Sequence, residues 1–476
     1  MMLNRVTKNY LYNAAYQVFI LLVPLVVTPY LARVLGPDNL GIYSYVFSVT
    51  NVISILTLIG IYNYGNRQIA YERNDKHKMS QTFWEIMLLR VLITVVGSAV
   101  YFAVAFYLKK FTVYFLEYYC FLLAAYIDCT WLYVGVEDMR PAVMKNFFAK
   151  LAGVICIFVF VKNSGDIGKY LLILSISILI ANLTAYVELG RYIEPAKINL
   201  RNLTTHIKDS VLLFLPTLAS LIYLQVDKIM IEWLTGQTAQ VAFYDNAEKI
   251  IMIPLTFITV LSTVMMPRIA NEHRQGHKDT IEDLIIRAAK TALFLSCPMA
   301  FGIALLSSGF IPWYLGKDFL PVIAALYLLC PIIVANSLEG ISGKQYFTAT
   351  NQIKVLTVTY TLTAVLNIVL NALLIPTFHF YGAAVATLCA SYLSVSIQFF
   401  VMGKELNLKN LIMPFVKYLL MAAGMFVVVF AATYSLAPSI LKTLIQIVLG
   451  GVCYFVMAML LKDEVFLKLI KEKSIV

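Results

Sequence analysis

Long apolar runs fill most of this chain, and short polar segments separate one run from the next. Each run has about 20 residues, which is the length that an α-helix needs to cross the hydrocarbon core of a bilayer. An outer-membrane β-barrel would instead show segments of about ten residues with alternating polarity. The pattern predicts fourteen membrane-spanning helices, over residues 10–34, 40–62, 82–108, 112–134, 141–161, 169–189, 210–234, 242–266, 286–309, 319–339, 355–376, 380–402, 411–434 and 439–461.

The composition agrees with this pattern. Of the 476 residues, 61% are hydrophobic and only 13% are charged, whereas soluble domains average about 45–50% and about 25%. A single soluble core would lack the polar surface to cover so much apolar material, which excludes an ordinary cytosolic enzyme and a disordered chain. The predicted class is therefore an all-α polytopic membrane protein. Its first run, 10–34, is long enough to span, so we interpret it as a helix and not as a removed signal peptide.

The net charge of +11 is distributed unevenly among the polar segments. With the N-terminus placed inside, about 24 Lys and Arg residues fall in inside segments and about 7 in outside segments. Cytoplasmic loops are enriched in Lys and Arg, so this asymmetry predicts a multi-pass protein of the cytoplasmic (inner) membrane with both termini in the cytoplasm. The positive charge is thus explained without a nucleic acid partner.

A weak internal repeat relates the two halves of the chain at an offset of 200 residues. Because that offset covers six spans, an even number, both copies would have the same orientation in the membrane. We expect two parallel six-helix lobes, 1–190 and 210–403, joined by a cytoplasmic linker, 191–209, and followed by two further helices and a tail, 404–476. The matching pairs are Gly36 and Gly236, Ile69 and Ile269, Ala70 and Ala270, Glu72 and Glu272, and Lys78 and Lys278.

Catalytic signatures are missing from the sequence. There is no GxxxxGK[ST] phosphate-binding loop, no zinc-protease HExxH motif and no CxxC pair. The sequence therefore predicts no enzyme, no resident cofactor and no metal centre. A sodium ion or a proton stays open as a coupling ion.

The candidate functional residues are polar groups inside the apolar runs, where a charge is costly and usually faces a cavity or a partner. Two interpretations stay open for them. They form helix–helix ion pairs, such as Lys228 with Glu232 and Asp245 with Lys249, or they line a polar cavity for an anionic head group. Arg90 in particular could pair with Asp128 or line that cavity. The substrate-binding candidates are Lys228, Lys249, Asp227, Asp245, Gln225, Arg90 and Asn51, and the other charges in spans 3 to 5 are Glu85, Glu117, Asp128 and Lys150.

Several segments, in this order along the chain, resemble those of polysaccharide repeat-unit flippases of the O-antigen, capsule and teichoic type. These proteins belong to the multidrug/oligosaccharidyl-lipid/polysaccharide exporter superfamily. The resemblance extends over nearly the whole chain and agrees with the charge topology and the repeat. The segments that carry it are Ala32–Pro37 with Leu40–Tyr43, Gln225–Ile231, Met266–Ala270, Asn367–Asn371, Ile375–Pro376 and Tyr381–Thr387.

The resemblance implies a transporter with a central cavity lined mainly by helices 1, 2, 7 and 8. It would carry a polyprenyl-pyrophosphate-linked oligosaccharide across the membrane by alternating access. Its implied partners are that lipid-linked substrate, membrane lipids, and a polysaccharide polymerase and glycosyltransferases of the same process. One departure is that related lipid II flippases carry cavity arginines in helices 1 and 2, where this chain offers no charge between Lys8 and Arg33 and only polar residues such as Asn51.

Two other functions are compatible with parts of the pattern. A cation-coupled multidrug antiporter of the same superfamily would share the fold, although such proteins usually have twelve helices and this sequence predicts fourteen. A membrane-embedded polysaccharide polymerase or ligase would need a large outside loop with catalytic residues, and every predicted outside loop is short. The sequence therefore favours the flippase.

Overall fold

The computed structural model describes the backbone of residues 5–138, 140–263 and 265–472. It also describes their side chains, except those of residues 5–21, 140–142, 212–213, 215–224, 259–263 and 469–472. Helices and short turns account for these ranges, and no β-strand occurs in them. The predicted all-α class is confirmed.

The helices follow one another through short connections. They are α1 (Arg5–Leu58), α2 (Ile61–Glu72), α3 (Lys76–Tyr107), α4 (Thr112–Ile127), α5 (Thr130–Gly135), α6 (Arg140–Phe160), α7 (Ile167–Ala185), α8 (Asn202–Thr235), α9 (Thr238–Thr263), α10 (Met266–Gln275), α11 (Lys278–Tyr314), α12 (Pro321–Leu329), α13 (Ile332–Glu339), α14 (Ile353–Phe378), α15 (Phe380–Met402), α16 (Ile412–Thr433), α17 (Ile440–Leu460) and α18 (Glu464–Glu472).

Every predicted span overlaps at least one of these helices. Within the described chain, eleven helical stretches are long and apolar enough to cross a bilayer, which establishes a multi-pass membrane protein. The first of them, Leu22–Leu58, joins predicted spans 1 and 2, although Gly36 (φ 75°, ψ 176°) interrupts the helix between them. A positive φ favours glycine, because it lacks a Cβ. The charged helices α8 and α9 are not among the eleven, and the number fourteen stays a prediction.

Two amphipathic helices, α2 and α10, follow predicted spans 2 and 8 and were not expected from the apolar runs. Proline near its start and Gly276 (φ 75°) after its end delimit α10. Ile69 of α2 and Ile269 of α10 are both fully buried, each in the apolar core of its own half. The sequence match between these two residues therefore corresponds to the same local packing in the two halves.

The chain divides into two compact units, Met1–Ile229 and Met230–Val476. The division falls inside α8 and not in the predicted linker 191–209. The reason is that the linker and the start of α8 are bonded to the first unit through Glu85 of α3. This carboxylate is 1% exposed.

The carboxylate of Glu85 accepts hydrogen bonds from three donors of the linker and α8. The backbone N–H of Asn199 lies 3.0 Å from Oε1, Nδ2 of Asn202 lies 3.0 Å from Oε2, and Nε2 of His206 lies 3.0 Å from Oε2. The other ring nitrogen of His206, Nδ1, lies 2.7 Å from the hydroxyl of Tyr64 in α2. A buried charge needs such partners, so Glu85 fixes the path of the linker.

A similar connection lies within the second unit. In it, Glu282 of α11 accepts a hydrogen bond of 2.7 Å from the backbone N–H of Asn407. The two connecting segments read Asn-Leu-Arg-Asn-Leu over Asn199–Leu203 and Asn-Leu-Lys-Asn-Leu over Asn407–Leu411. In each segment, Oδ1 of the first asparagine accepts a hydrogen bond from the backbone N–H of the basic residue two positions later. The distance is 3.1 Å in the first segment and 3.4 Å in the second. This repeat has an offset of 208 residues, so an alignment at 200 misses it.

The last helix, α18, is fixed at its start by Asp463. This carboxylate is 2% exposed and accepts hydrogen bonds from Lys417 Nζ at 2.6 Å and from the backbone N–H groups of Val465 and Phe466. Burial alone would raise the pKa of Asp463, but these hydrogen bonds outweigh it and hold the pKa below its usual value. The stabilisation is therefore present above the ordinary carboxyl pKa and is lost as the pH falls through the lowered one.

The two connections allow a matched test of stability. Glu85→Gln should lower the melting temperature of the purified protein more than Glu282→Gln does. Glu85 serves several buried donors, and each buried donor left without its acceptor costs about 1–3 kcal/mol, whereas Glu282 accepts one described hydrogen bond. Thermal unfolding in the same detergent measures both shifts. Equal shifts would contradict the account given for Glu85.

Candidate functional site

Arg90 of α3 lies deep in the first unit, 2% exposed. Its Nε donates to the carbonyl of Tyr126 at 2.7 Å, and its Nη2 donates to the carbonyl of Ala125 at 2.5 Å. Both carbonyls belong to the last turn of α4, where the helix leaves them without an internal donor and carries partial negative charge. Arg90 therefore caps α4 at the break before α5.

Arg90 forms no direct ion pair with Asp128, which was one of its two predicted roles, although the opposite charges are close enough to attract each other. Asp128 follows α4, and its Oδ1 accepts a hydrogen bond of 2.8 Å from the backbone N–H of Thr130, the first residue of α5. The two side chains thus hold opposite ends of one helix break. Of the guanidinium, Nη1 is buried and has no hydrogen-bond partner in the described part of the chain, so this is the atom left for a ligand.

Asn51 lies on α1 after the break at Gly36 and is half-buried. Its side chain forms no hydrogen bond with any residue that the structure describes. One turn earlier, the hydroxyl of Ser48 is fully buried and also has no partner among the described residues. Residues three apart share a helix face. Buried polar groups are normally hydrogen-bonded, so this face of α1 can form hydrogen bonds with a ligand or water.

Three candidates lie together on α8. Asp227 and Lys228 are 3% and 5% exposed, and both take part in polar interactions within the protein. Gln225, half a turn before Asp227, has a buried Oε1 without a hydrogen-bond partner among the described residues. The two charges are therefore engaged, while the amide of Gln225 keeps an open acceptor.

The remaining two candidates, Asp245 and Lys249, lie one turn apart on α9 in the second unit. Lys249 Nζ lies 2.5 Å from Asp245 Oδ2, which confirms the predicted ion pair. The side chain of Asp245 is 5% exposed and that of Lys249 is 47% exposed. The pair therefore buries its carboxylate, while the lysine side chain stays partly exposed.

The seven candidates are thus divided between the units. The first unit holds Asn51, Arg90, Gln225, Asp227 and Lys228, and the second holds Asp245 and Lys249. Chemically they offer amide and hydroxyl groups for sugars and cationic groups for a phosphate. No cluster of metal-binding His, Cys, Asp or Glu side chains was found within the described ranges.

Sequence reasoning left two intramembrane groups out of the site. Lys150 lies in the middle of α6, with no acidic residue three or four positions away, and this spacing could have distinguished it from the paired lysines. Glu339, at the end of α13, accepts a hydrogen bond of 3.1 Å from Ser394 of α15. A π-helical turn, Gly340–Phe347, follows it directly. Such turns are frequent at functional sites, but sequence does not reveal them.

The helical fold, with polar groups inside long apolar helices, defines a multi-pass membrane protein. The family model described as polysaccharide biosynthesis protein matches residues 6–273. A second model, described as lipid II flippase MurJ, matches residues 148–458. The chain belongs to the polysaccharide biosynthesis protein family, and the predicted resemblance is confirmed.

Individual proteins agree with this assignment. The chain is 23% identical over 398 residues to a protein of Escherichia coli K12 named as an O-antigen transporter, covering 82% of this chain and 95% of that protein. The structure of the lipid II flippase MurJ in an inward closed conformation has a TM-score of 0.70 at 16% identity, covering 92% of this chain and 99% of that one. An inward-facing multidrug transporter of the MATE family has a TM-score of 0.64 at 15% identity, covering 83% and 93%. Flippases and drug transporters therefore share this fold.

The cap at Arg90 predicts a loss of folded protein on substitution. Arg90→Met should lower the yield of monodisperse protein in size-exclusion chromatography, because two buried carbonyls lose their donors at about 1–3 kcal/mol each. Arg90→Lys retains a charge that can reach one of them and should recover part of the yield. An Arg90→Met variant with wild-type yield and melting temperature would contradict the capping role.

Proposed function

We propose that this protein is a flippase that moves a polyprenyl-diphosphate-linked oligosaccharide from the cytoplasmic to the outer leaflet for surface polysaccharide synthesis. The observation that carries the proposal is membership of the polysaccharide biosynthesis family together with near full-length similarity to an O-antigen transporter. The shared fold alone does not separate a flippase from a drug transporter, so the family assignment decides between them.

The physical task explains why a protein is needed. An oligosaccharide carries many hydroxyl groups, and each one left without a hydrogen bond in hydrocarbon costs several kcal/mol. A transporter with two lobes can enclose a polar cavity and expose it first to one side of the membrane and then to the other. The lipid tail can stay in the bilayer during this exchange.

We assign the predicted candidates of each unit to substrate binding. In the first unit, Lys228 and Nη1 of Arg90 would bind phosphate, and Asn51 and Gln225 would bind sugar hydroxyls. In the second unit, Lys249 would bind phosphate. The support is that the side chain of Lys249 is 47% exposed, and that Asn51 and Gln225 keep open hydrogen-bonding capacity within the described chain. Asp227 and Asp245 would hold the two lysines in place, which is the role that Asp245 has beside Lys249.

The proposed setting is the cytoplasmic (inner) membrane, with both termini in the cytoplasm. The lobes would be 1–190 and 210–403, with 404–476 outside the repeat. The support is the excess of Lys and Arg in alternate loops and the repeated connections at Glu85 and Glu282. Glycosyltransferases would supply the lipid-linked unit on the inside, and a polymerase would consume it on the outside.

The sequence has no phosphate-binding loop for a nucleotide. Transport would then run downhill, be coupled to a sodium ion or proton, or be pulled by consumption outside. A membrane potential that is negative inside favours outward movement of an anion by about 2.3 kcal/mol per charge per 100 mV. A diphosphate substrate would therefore gain from the potential directly.

Depletion of this protein should trap lipid-linked repeat units on the cytoplasmic leaflet and stop surface polymer assembly, while glycosyltransferase activity persists in isolated membranes. The sidedness is measured by the access of a membrane-impermeant sugar-oxidising reagent to intact cells and to inverted vesicles. The strain must lack a second flippase.

Restoration by the wild-type chain and loss with Lys228→Ala at normal protein levels would support the assignment of Lys228 to substrate binding. Normal polymer output without a trapped intermediate, together with increased drug accumulation on depletion, would contradict the flippase and favour the antiporter.

A further inference from the structure

Lys150 lies at the midpoint of a membrane helix. It is ten residues after the start of α6 (Arg140–Phe160) and ten before its end, which corresponds to about 15 Å from either end. This is near the centre of a hydrocarbon core of about 30 Å. A lysine close to a helix end can extend its ammonium group to the lipid headgroups, but one at the centre is too distant.

The side chain is on the protein-facing side of α6. Val143 (7% exposed), Gly153 and Ile157 (2% exposed) lie on the same face, three or seven residues away. At Gly153 an added Cβ would come within 2.6 Å of the Ser177 hydroxyl of α7, so this face packs closely against a neighbouring helix. Lys150 itself is half-buried.

The opposite face of α6 is the one that lipid would cover. Its side chains Phe148, Ile155 and Val159 are 58%, 56% and 54% exposed. An exposed apolar face of this kind suits the hydrocarbon of the bilayer. The charge of Lys150 therefore points into the first unit and away from the lipid.

Within the described chain, Lys150 has no hydrogen-bond or ion-pair partner. Lys145 of the same helix shows the contrast. Its Nζ donates to the carbonyl of Thr184 at 2.7 Å and lies 3.5 Å from Glu188 Oε1. An intramembrane charge facing the protein interior normally pairs with another group or lines a polar pathway. Lys145 is paired, so we infer that Lys150 lines a polar pathway.

We propose that Lys150 binds the negatively charged diphosphate of the lipid-linked substrate. The inference rests on the proposed flippase function and names a cationic residue for its site in the first unit. Ammonium groups bind phosphate as point charges. Spans 1 and 2 contain no Lys or Arg between Lys8 and Arg33 or within 40–62. Arg90 of α3 uses Nε and Nη2 to cap α4, which leaves only Nη1 for a ligand. Lys150 supplies the positive charge that those elements lack.

The test measures binding of farnesyl diphosphate to the purified full-length protein, with uncharged farnesol as the reference. Lys150→Met should weaken farnesyl diphosphate binding about tenfold, the effect of losing about 1.4 kcal/mol, and leave farnesol binding unchanged. Lys150→Arg keeps the charge and should bind within a few-fold of wild type. Wild-type affinity of the Lys150→Met variant for farnesyl diphosphate would overturn the proposal.

Competition separates the sources of phosphate. Inorganic pyrophosphate should compete with farnesyl diphosphate in the wild type and lose that effect in Lys150→Met. Phosphatidylglycerol in nanodiscs is the second competitor. If it displaces farnesyl diphosphate at a lower concentration than pyrophosphate does, Lys150 binds an ordinary membrane lipid and the proposal is wrong.

Melting temperatures separate a binding role from a structural one. Lys150→Met removes an unpaired charge and should keep or raise the melting temperature, whereas the control Lys145→Met removes a paired one and should lower it. The alternative is that Lys150 serves folding. In that case Lys150→Met would lower the melting temperature, Lys150→Arg would restore it, and diphosphate binding per folded molecule would not change. Diphosphate binding that depends on Lys150 without any translocation by the wild type would instead contradict the flippase function and leave the site standing.

Discussion

The structure depends on one constraint, which is that a charge inside hydrocarbon must be compensated. Placing an ionised side chain at the centre of a membrane helix costs at least about 2.5–3.5 kcal/mol. Arg90 meets the constraint with the carbonyl groups at the end of α4, and Asp245 meets it with Lys249. Lys150 differs from these residues, because it has no hydrogen-bond or ion-pair partner within the described chain.

A repeated bond between a carboxylate and a backbone amide shapes one connection within each unit. Glu85 and Glu282 lie on corresponding helices, and each accepts the backbone N–H of an asparagine in an Asn-Leu-basic-Asn-Leu segment. The segments share this bond, so one connection is built in the same way in both units. From each segment the chain continues into a long helix, α8 or α16. A duplicated unit with its connector accounts for this arrangement better than a linker that joins the halves by chance.

Apolar periodicity was enough to predict the all-α membrane class and to place helices under all fourteen runs. It could not predict α2 and α10, because their mixed polarity resembles loop sequence. It also could not predict the helix break at Asp128, because the apolar run continues through that break. The ion pair of Asp245 and Lys249 followed from its i,i+4 spacing. The bonds of Arg90 did not, because backbone carbonyls of another helix carry no sequence signal.

The central claim is that these intramembrane polar groups carry a lipid-linked oligosaccharide through the bilayer. The most direct test reconstitutes the purified chain into liposomes loaded with a polyprenyl-diphosphate-linked oligosaccharide on the inner leaflet. A membrane-impermeant glycosidase added outside then reports the fraction of sugar that has crossed. The account predicts that this fraction rises with time and with an imposed potential that is negative inside. A fraction that stays at the level of protein-free liposomes, with correctly folded protein present, would contradict it.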